Sequence, residues 1–182
     1  DDTLWGGIIG DDGLEGISWD LDHKTQMHLL YQKTLHSLAL SGILVAVASK
    51  NERALVEEAF KEKDILLPRE LIFPLEANWG KKSASIQRIL KAWNVNEDSV
   101  LFIDDNPREI EEVQSVFPYI QTFCFPSKSP EKILSLLYLL RELCGKDSIS
   151  REDSLRLESL KRTTTFSSVS QENEEGYEKI LK

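Results

Sequence analysis

The chain has 182 residues, of which 41% are hydrophobic and 29% are charged, and this composition excludes collagen-like, wholly disordered and disulfide-scaffold proteins. The net charge of −9, without a basic stripe, argues against nucleic acid and anionic membrane surfaces as partners. Two cysteines and the lack of a signal-peptide pattern predict a cytoplasmic protein. Since the only methionine is Met27, we expect the chain to begin inside a longer polypeptide.

The first half of the chain alternates between helical and extended patterns. Apolar residues recur at helical spacing over 27–38, and a continuous apolar run follows over 43–48. Such a run is typical of a strand buried on both faces of a parallel sheet. A helix is predicted from Asn51 and a short strand over 71–73. Before these elements, residues 11–13 are expected to make a tight hairpin turn.

The second half continues the same alternation. A helix is predicted over 83–92 and a buried strand over 100–103. Pro107 suits the first turn of the helix that follows. A further strand is predicted over 120–125, and the last strong helix over 131–143.

These elements predict one α/β domain over residues 1–145. It should be a three-layer, Rossmann-like domain with a mainly parallel central sheet and no large cap, because the intervals between the polar clusters are used up by core elements. Residues 146–182 are rich in Ser, Thr, Glu and Arg, and are expected to form a linker or C-terminal extension.

Three polar clusters, at 1–3, 49–51 and 104–106, fall where strands are predicted to end, and ligands bind at the carboxyl ends of parallel strands. A phosphate-handling site needs carboxylates for a cation such as Mg²⁺, donors for phosphoryl oxygens, and a positive charge. The three clusters and the lysine pair at 81–82 contain all of these groups. Taken singly, each group has a simpler interpretation as a helix cap or a solvated surface charge.

The order Asp, Ser, Lys, Asp-Asp resembles that of the haloacid dehalogenase (HAD) superfamily. Residues 1–17, DDTLWGGIIGDDGLEGI, closely resemble the long first motif of its FkbH-like subfamily, subfamily IIIC. Residues 48–51, 78–82 and 102–107 resemble later motifs of that family. The chain departs from the pattern in having Asp2 where the family usually has Asn.

The resemblance implies a role for each matching residue, and it places the nucleophilic aspartate two residues before Asp1, outside this sequence. Ser49 and Asn51 are expected to bind phosphate, and Lys82 to neutralise charge on the phosphoryl group. The expected catalytic residues are Asp1, as general acid and base, and Lys82. The expected Mg²⁺ residues are Asp1, through its backbone carbonyl, Asp104 and Asp105.

The resemblance also implies an activity. FkbH-like proteins of polyketide biosynthesis dephosphorylate 1,3-bisphosphoglycerate and load the glyceryl unit onto an acyl carrier protein, so glyceryl transfer ranks first. The alternatives are a simple phosphatase acting on a small phosphorylated metabolite, and a catalytically silent docking module. Lys81, Lys82 and Arg88 are candidates for the basic patch that an acidic carrier would need. Cys124 and Cys144 are expected away from the strand ends, in structural roles.

Overall fold

The computed structural model describes residues 1–163, which alternate between strands and helices and confirm the predicted α/β class. The strands are β1 (Val45–Ser49), β2 (Ile72–Ala77), β3 (Leu101–Asp104) and β4 (Gln121–Cys124). The α-helices are α1 (Ile9–Asp12), α2 (Gln26–Leu40), α3 (Arg53–Glu62), α4 (Lys82–Trp93), α5 (Pro107–Val116) and α6 (Pro130–Cys144).

Helix α5 begins as the sequence predicts. Pro107 is its first residue, and the Asn106 side chain accepts a hydrogen bond from the backbone N–H of Arg108. Proline suits this position because the first N–H groups of a helix have no intrahelical partner. The cap fixes α5 directly after β3, so the acidic residues between the two elements are held in a short, defined turn.

The strands form two parallel pairs. β1 pairs with β2, and β3 pairs with β4. Within residues 1–163, no hydrogen-bonded ladder joins β1 to β3. Because both strand pairs are parallel, they are consistent with the mainly parallel sheet that the sequence predicts.

Helices cover both faces of these strands. On one face, Ala46 and Ala48 of β1 and Phe102 of β3 join a core cluster with residues of α4 and α5. On the other face, Leu101 and Ile103 pack against a cluster built by α2 and α6. The two strand pairs therefore lie between helices, which gives the expected three layers.

A cavity of about 810 Å³ lies between the two strand pairs. All five residues of β1 line it and are only half-buried, and all four residues of β3 line it as well. Leu35 of α2, Ile89 of α4 and Leu140 of α6 close it from the two faces. The cavity is thus an apolar slot bordered by two strands, and its polar end coincides with the carboxyl ends of those strands.

The predicted hairpin turn at residues 11–13 is wrong. Ile9–Asp12 is a single helical turn, which Gly13 ends at a φ of +67°. The backbone N–H of Ile8 donates to the Asp12 carboxylate, so this side chain stabilises the start of a helical turn instead of a hairpin. An isolated antiparallel bridge between Gly6 and Ser18 still closes the segment.

The extension after α6 contains a helix over residues 151–163. Arg156 donates to the carbonyl of Gly42, and Lys161 donates to the carbonyl of Glu70, so the helix contacts the turns that precede β1 and β2. The remainder of the predicted extension, 164–182, lies outside the described residues. The division of the chain at residue 145 stays a prediction.

Within residues 1–163, no helix combines the length and the apolar character that crossing a bilayer demands.

Gln32 joins the N-terminal segment to the loop before β2, and we predict that the fold depends on it. Its fully buried amide donates to the carbonyl of Leu4 and accepts from the N–H of Leu66. Gln32→Leu would leave both backbone groups without partners, so we expect a loss of about 2–4 kcal/mol in the free energy of unfolding. Urea denaturation measures it, and the exposed Gln87→Leu is the control. Equal stability of the two variants would contradict this role.

Candidate active site

The carboxyl ends of β1 and β3 bring two of the predicted polar clusters to one end of the cavity. Ser49 is the last residue of β1 and Asp104 is the last residue of β3. Both line the cavity, together with residues 1–3. The structure therefore brings together the residues that the sequence places at separate strand ends.

The carboxylate of Asp1 is held by three donors. Its Oδ1 accepts from Trp5 Nε1 at 3.2 Å and from the N–H of Ile9 at 3.0 Å. Its Oδ2 accepts from Asn51 Nδ2 at 2.7 Å. Since Trp5 and Asn51 are buried, the Asp1 side chain has a fixed position at the mouth of the cavity.

Asn51 connects Asp1 with Ser49. The same Nδ2 group donates to Ser49 Oγ at 2.9 Å, so both of its hydrogens are engaged. The Ser49 hydroxyl accepts this bond and retains its own O–H to donate. The geometry gives Asn51 a positioning contact, and it leaves Ser49 ready to donate to an anion.

Lys82 forms an ion pair with Asp104. Lys82 Nζ donates to Asp104 Oδ2, while Asp104 Oδ1 accepts from the N–H of Asn106 at 2.9 Å. Only 4% of Asp104 is exposed, so its charge is compensated inside the protein and not by water. Lys81, by contrast, is exposed, and Lys82 is therefore the lysine that lies in the site.

Residues 1–3 bridge the two strand pairs. Asp1 binds Asn51 on the β1 side, and Thr3 Oγ1 donates to Asp105 Oδ1 at 3.0 Å on the β3 side. Between them, Asp2 adopts a φ of +43° and accepts from the N–H of Gly7. Asn and Asp both tolerate this left-handed conformation, which explains how Asp can stand where the resembling family has Asn.

His28 contacts the backbone of this bridge. It is buried beside Phe125, and its Nε2 lies 3.4 Å from the carbonyl of Asp2, to which a ring N–H can donate. Burial lowers the pKa of His28 from its ordinary value and so favours the neutral imidazole beside the acidic bridge.

A second ion pair lies at the same end of the cavity. Lys50 Nζ contacts Glu109 Oε1 at 2.6 Å, and the other carboxylate oxygen of Glu109 is buried without a hydrogen-bond partner. The described residues that line the cavity also include Asp1, Asp2, Asp104, Asp105 and Lys82. Their carboxylates outnumber their ammonium groups, so a cation bound beside a phosphate would offset the surplus of negative charge.

The described residues fit Mg²⁺, although they do not form a complete cage. Within residues 1–163, no group of three His, Cys, Asp or Glu side chains could hold a metal ion. Mg²⁺ nevertheless binds in proteins through one or two carboxylates, substrate phosphates and several waters. The acidic balance of the cavity and the hard oxygen donors of Asp104 and Asp105 match that preference.

The expectation for Cys124 is wrong. Cys124 is exposed, it is the last residue of β4, and its thiol lies 3.6 Å from the carbonyl of Asp105, to which it donates. It is therefore at a strand end next to the site. Cys144 ends α6 as expected, and burial raises the pKa of its thiol.

The predicted basic patch is largely neutralised. Lys82 pairs with Asp104, and Arg88 pairs with Glu76, which leaves the exposed Lys81 as the remaining member of the predicted set. The sequence interpretation did not single out Thr3 or the Lys50–Glu109 pair. The only sequence signals for them are local: Thr3 belongs to the TLW segment after Asp1, and Lys50 directly follows Ser49.

A three-layer α/β fold with this cluster at its strand ends defines a protein of the HAD type. The family model of haloacid dehalogenase-like hydrolases matches residues 20–116, more than half of the chain. The chain belongs to the haloacid dehalogenase-like hydrolase family. These matches do not test the assignment to the FkbH-like subfamily, which stays a prediction.

One solved structure extends the comparison. It is the N-terminal part of the protein BF1531 from Bacteroides fragilis, which contains a phosphatase domain complexed with Mg. The two chains are 34% identical with a TM-score of 0.70, and the match covers 77% of this chain but only 38% of that one. No curated protein matches this chain.

Proposed function

We propose that the protein is a Mg²⁺-dependent phosphatase that acts on small phosphorylated metabolites. The observation that carries the proposal is the junction of Ser49, Asp1, Lys82 and Asp104 at the carboxyl ends of two parallel strands. The Mg-containing phosphatase domain of the Bacteroides fragilis protein supports it. A silent docking module is the alternative, and an inactive protein in the assays below would favour it.

In this proposal, Asp104, Asp105 and the backbone carbonyl of Asp1 hold Mg²⁺. The ion supplies charge neutralisation for the phosphoryl group. Thr3 positions Asp105 through the hydrogen bond between their side chains. Lys82 is already paired with Asp104, so it lies where it can contact both the metal residue and a bound phosphoryl oxygen.

Ser49 and Lys82 bind the phosphoryl group, and Asn51 positions Ser49. The free O–H of Ser49 donates to one phosphoryl oxygen and the Lys82 ammonium to another. Asn51 acts through its hydrogen bonds to Ser49 and Asp1, because both of its amide hydrogens are engaged. Asp1 gives a proton to the leaving-group oxygen and later takes one from the attacking water.

The attacking group comes from a further strand. We propose that a parallel strand leading into Asp1 fills the cavity between β1 and β3 and carries an aspartate two residues before Asp1. The support is the apolar slot bordered by two strands, with residues 1–3 bridging its carboxyl end. The aspartate oxygen attacks phosphorus, the leaving-group oxygen departs with the Asp1 proton, and water then releases phosphate.

Glyceryl transfer of the FkbH type is the second candidate function. One observation favours it: the Cys124 thiol is exposed and touches the carbonyl of Asp105, so it could accept an acyl group near the site. The acyl carrier protein is the proposed acceptor partner. The exposed Lys81 is its candidate contact, since the other two cations of the predicted patch are paired.

Phosphate release tests the phosphatase proposal. With the strand that carries an aspartate two residues before Asp1 in place, the protein should release phosphate from phosphate monoesters with Mg²⁺, and lose this activity with EDTA. Ser49→Ala should lower the rate by about 10²-fold, because one donor to the phosphoryl group is removed. Ser41→Ala, before the amino end of β1 and outside the site at the carboxyl ends, is the control. Release that is insensitive to EDTA, or equal in all variants, would contradict the proposal.

Mass measurement separates the two candidates. The protein is incubated with Mg²⁺, 1,3-bisphosphoglycerate and an acyl carrier protein, and the carrier is weighed. A gain of one glyceryl unit that Cys124→Ser abolishes and Cys144→Ser retains would support transfer. Phosphate release without a mass gain would leave a phosphatase.

A further inference from the structure

Trp79 is an exposed aromatic residue at the edge of the candidate active site. It lies in the loop between β2 and α4, and 66% of its surface is exposed. Burying an aromatic side chain of this size lowers the free energy of the protein relative to leaving it in water. Its position therefore calls for an explanation other than packing within the described residues.

The ring of Trp79 is held in place although it is exposed. Its Nε1 donates to Glu52 Oε1 at 2.9 Å. The loop backbone is fixed on both sides by Asn78, which donates to Ser85 Oγ and accepts from the N–H of Gly80. A fixed, exposed aromatic face loses little conformational entropy when it binds a ligand.

Two connections place Trp79 beside the phosphoryl site. The N–H of Asn78 donates to the carbonyl of Ser49 at 3.0 Å. Glu52, which holds the indole, directly follows Asn51. Trp79 therefore follows a residue that binds Ser49, and its indole binds the residue that follows Asn51.

Ile8 is a second exposed apolar side chain next to the candidate active site. It is 42% exposed and lines the cavity, and its neighbour Ile9 donates its N–H to Asp1. Asp1 in turn contacts Asn51, the residue before Glu52. Ile8 is therefore next in the chain to one residue that binds the Asp1 carboxylate, and Glu52, which holds Trp79, is next to another.

We propose that Ile8 and Trp79 form an apolar rim that binds the leaving group of the substrate, and that this rim selects phosphate esters with a flat, apolar leaving group. The inference deepens the proposed phosphatase function and rests on it for the orientation of the ester. With the phosphoryl group at Ser49 and Lys82, and its bridging oxygen at Asp1, the rest of the ester emerges between these two side chains.

Binding of two non-hydrolysable phosphonates tests the rim. Calorimetric titrations with phenylphosphonate and methylphosphonate in Mg²⁺ should show about fivefold tighter binding of the phenyl compound, the size of an aromatic contact. Trp79→Ala should lose this preference, while methylphosphonate binding stays unchanged. Tyr119→Ala, an exposed aromatic residue before the amino end of β4, is the control and should keep it.

The outcomes distinguish the rim from the phosphatase activity. An unchanged preference in Trp79→Ala, no preference in the unsubstituted protein, or no binding of either phosphonate would overturn the rim. A preference that depends on Trp79, in a protein that hydrolyses no phosphate ester even with the aspartate-bearing strand in place, would retain the rim as a ligand site and reject the phosphatase proposal.

Discussion

Lys82→Met is expected to destabilise the protein by about 3–5 kcal/mol and to abolish phosphate release. The ammonium group is the charge partner of Asp104, which is 4% exposed, so its removal leaves a buried carboxylate without compensation. It also removes the cation that would bind the phosphoryl group. Lys81→Met, at the adjacent exposed position, should change neither property.

A double variant separates stability from catalysis. Lys82→Met combined with Asp104→Asn removes both charges, and the amide can still accept from the N–H of Asn106. The double variant should therefore regain most of the stability that Lys82→Met loses, while it remains inactive. Urea denaturation and phosphate release measure the two effects. If the losses of the single variants simply add, the two side chains do not depend on each other and this account of the pair is wrong.

Adding an N-terminal strand is expected to raise the free energy of unfolding by about 3 kcal/mol or more. Each Val or Ile buried in the cavity between β1 and β3 contributes about 1.5–3 kcal/mol, and the backbone groups of both bordering strands gain partners. The variant carries about six apolar, β-branched residues before Asp1, a typical strand length.

The control for this strand is an extension of the same length with charged residues at alternate positions. Charged side chains cannot enter an apolar slot without a large desolvation cost, so this extension should leave stability unchanged. Thermal and urea denaturation give the comparison. Equal stability of the apolar and charged extensions would show that the cavity does not accept a strand.

The sequence predicted the positions of β1 and β3 well and the extent of β2 poorly. The apolar runs at 43–48 and 100–103 differ from β1 and β3 by at most two residues at either end. β2 was expected over only 71–73 but extends over Ile72–Ala77, because Pro74 and Glu76 interrupt its apolar pattern. Hydrophobic periodicity does not identify a strand that contains charged residues whose partners come from elsewhere in the fold. Glu76 is such a residue, because it forms an ion pair with Arg88.

The site was predictable in its residues and not in its contacts. The order of the polar motifs along the chain and their resemblance to the HAD pattern indicated four residues. They are Asp1, Ser49, Lys82 and Asp104, and all of them line one cavity. The Thr3–Asp105 contact joins residues 102 positions apart, and no local pattern encodes such a pairing. Cys124 was misjudged for a related reason.

Its strand, β4, is predicted over 120–125, and that pattern does not indicate whether the strand lies at the centre or at an edge of a sheet. Within the described residues, β4 pairs only with β3, which places it at an edge where its first and last residues are exposed. Edge and centre positions depend on strand order, which is a property of the whole fold. Exposure of the thiol could therefore be recognised only from the structure.

We propose that phosphoryl chemistry takes place between β1 and β3 when a strand carries an aspartate to that site. The most direct measurement compares two apolar extensions that differ only two residues before Asp1, where one has Asp and the other Asn. With Mg²⁺ and a phosphate monoester, the Asp version should release phosphate, and the Asn version should be slower by at least about 10³-fold, since an amide cannot attack phosphorus as a carboxylate does. Equal rates in the two versions, or no release from the Asp version, would contradict the account.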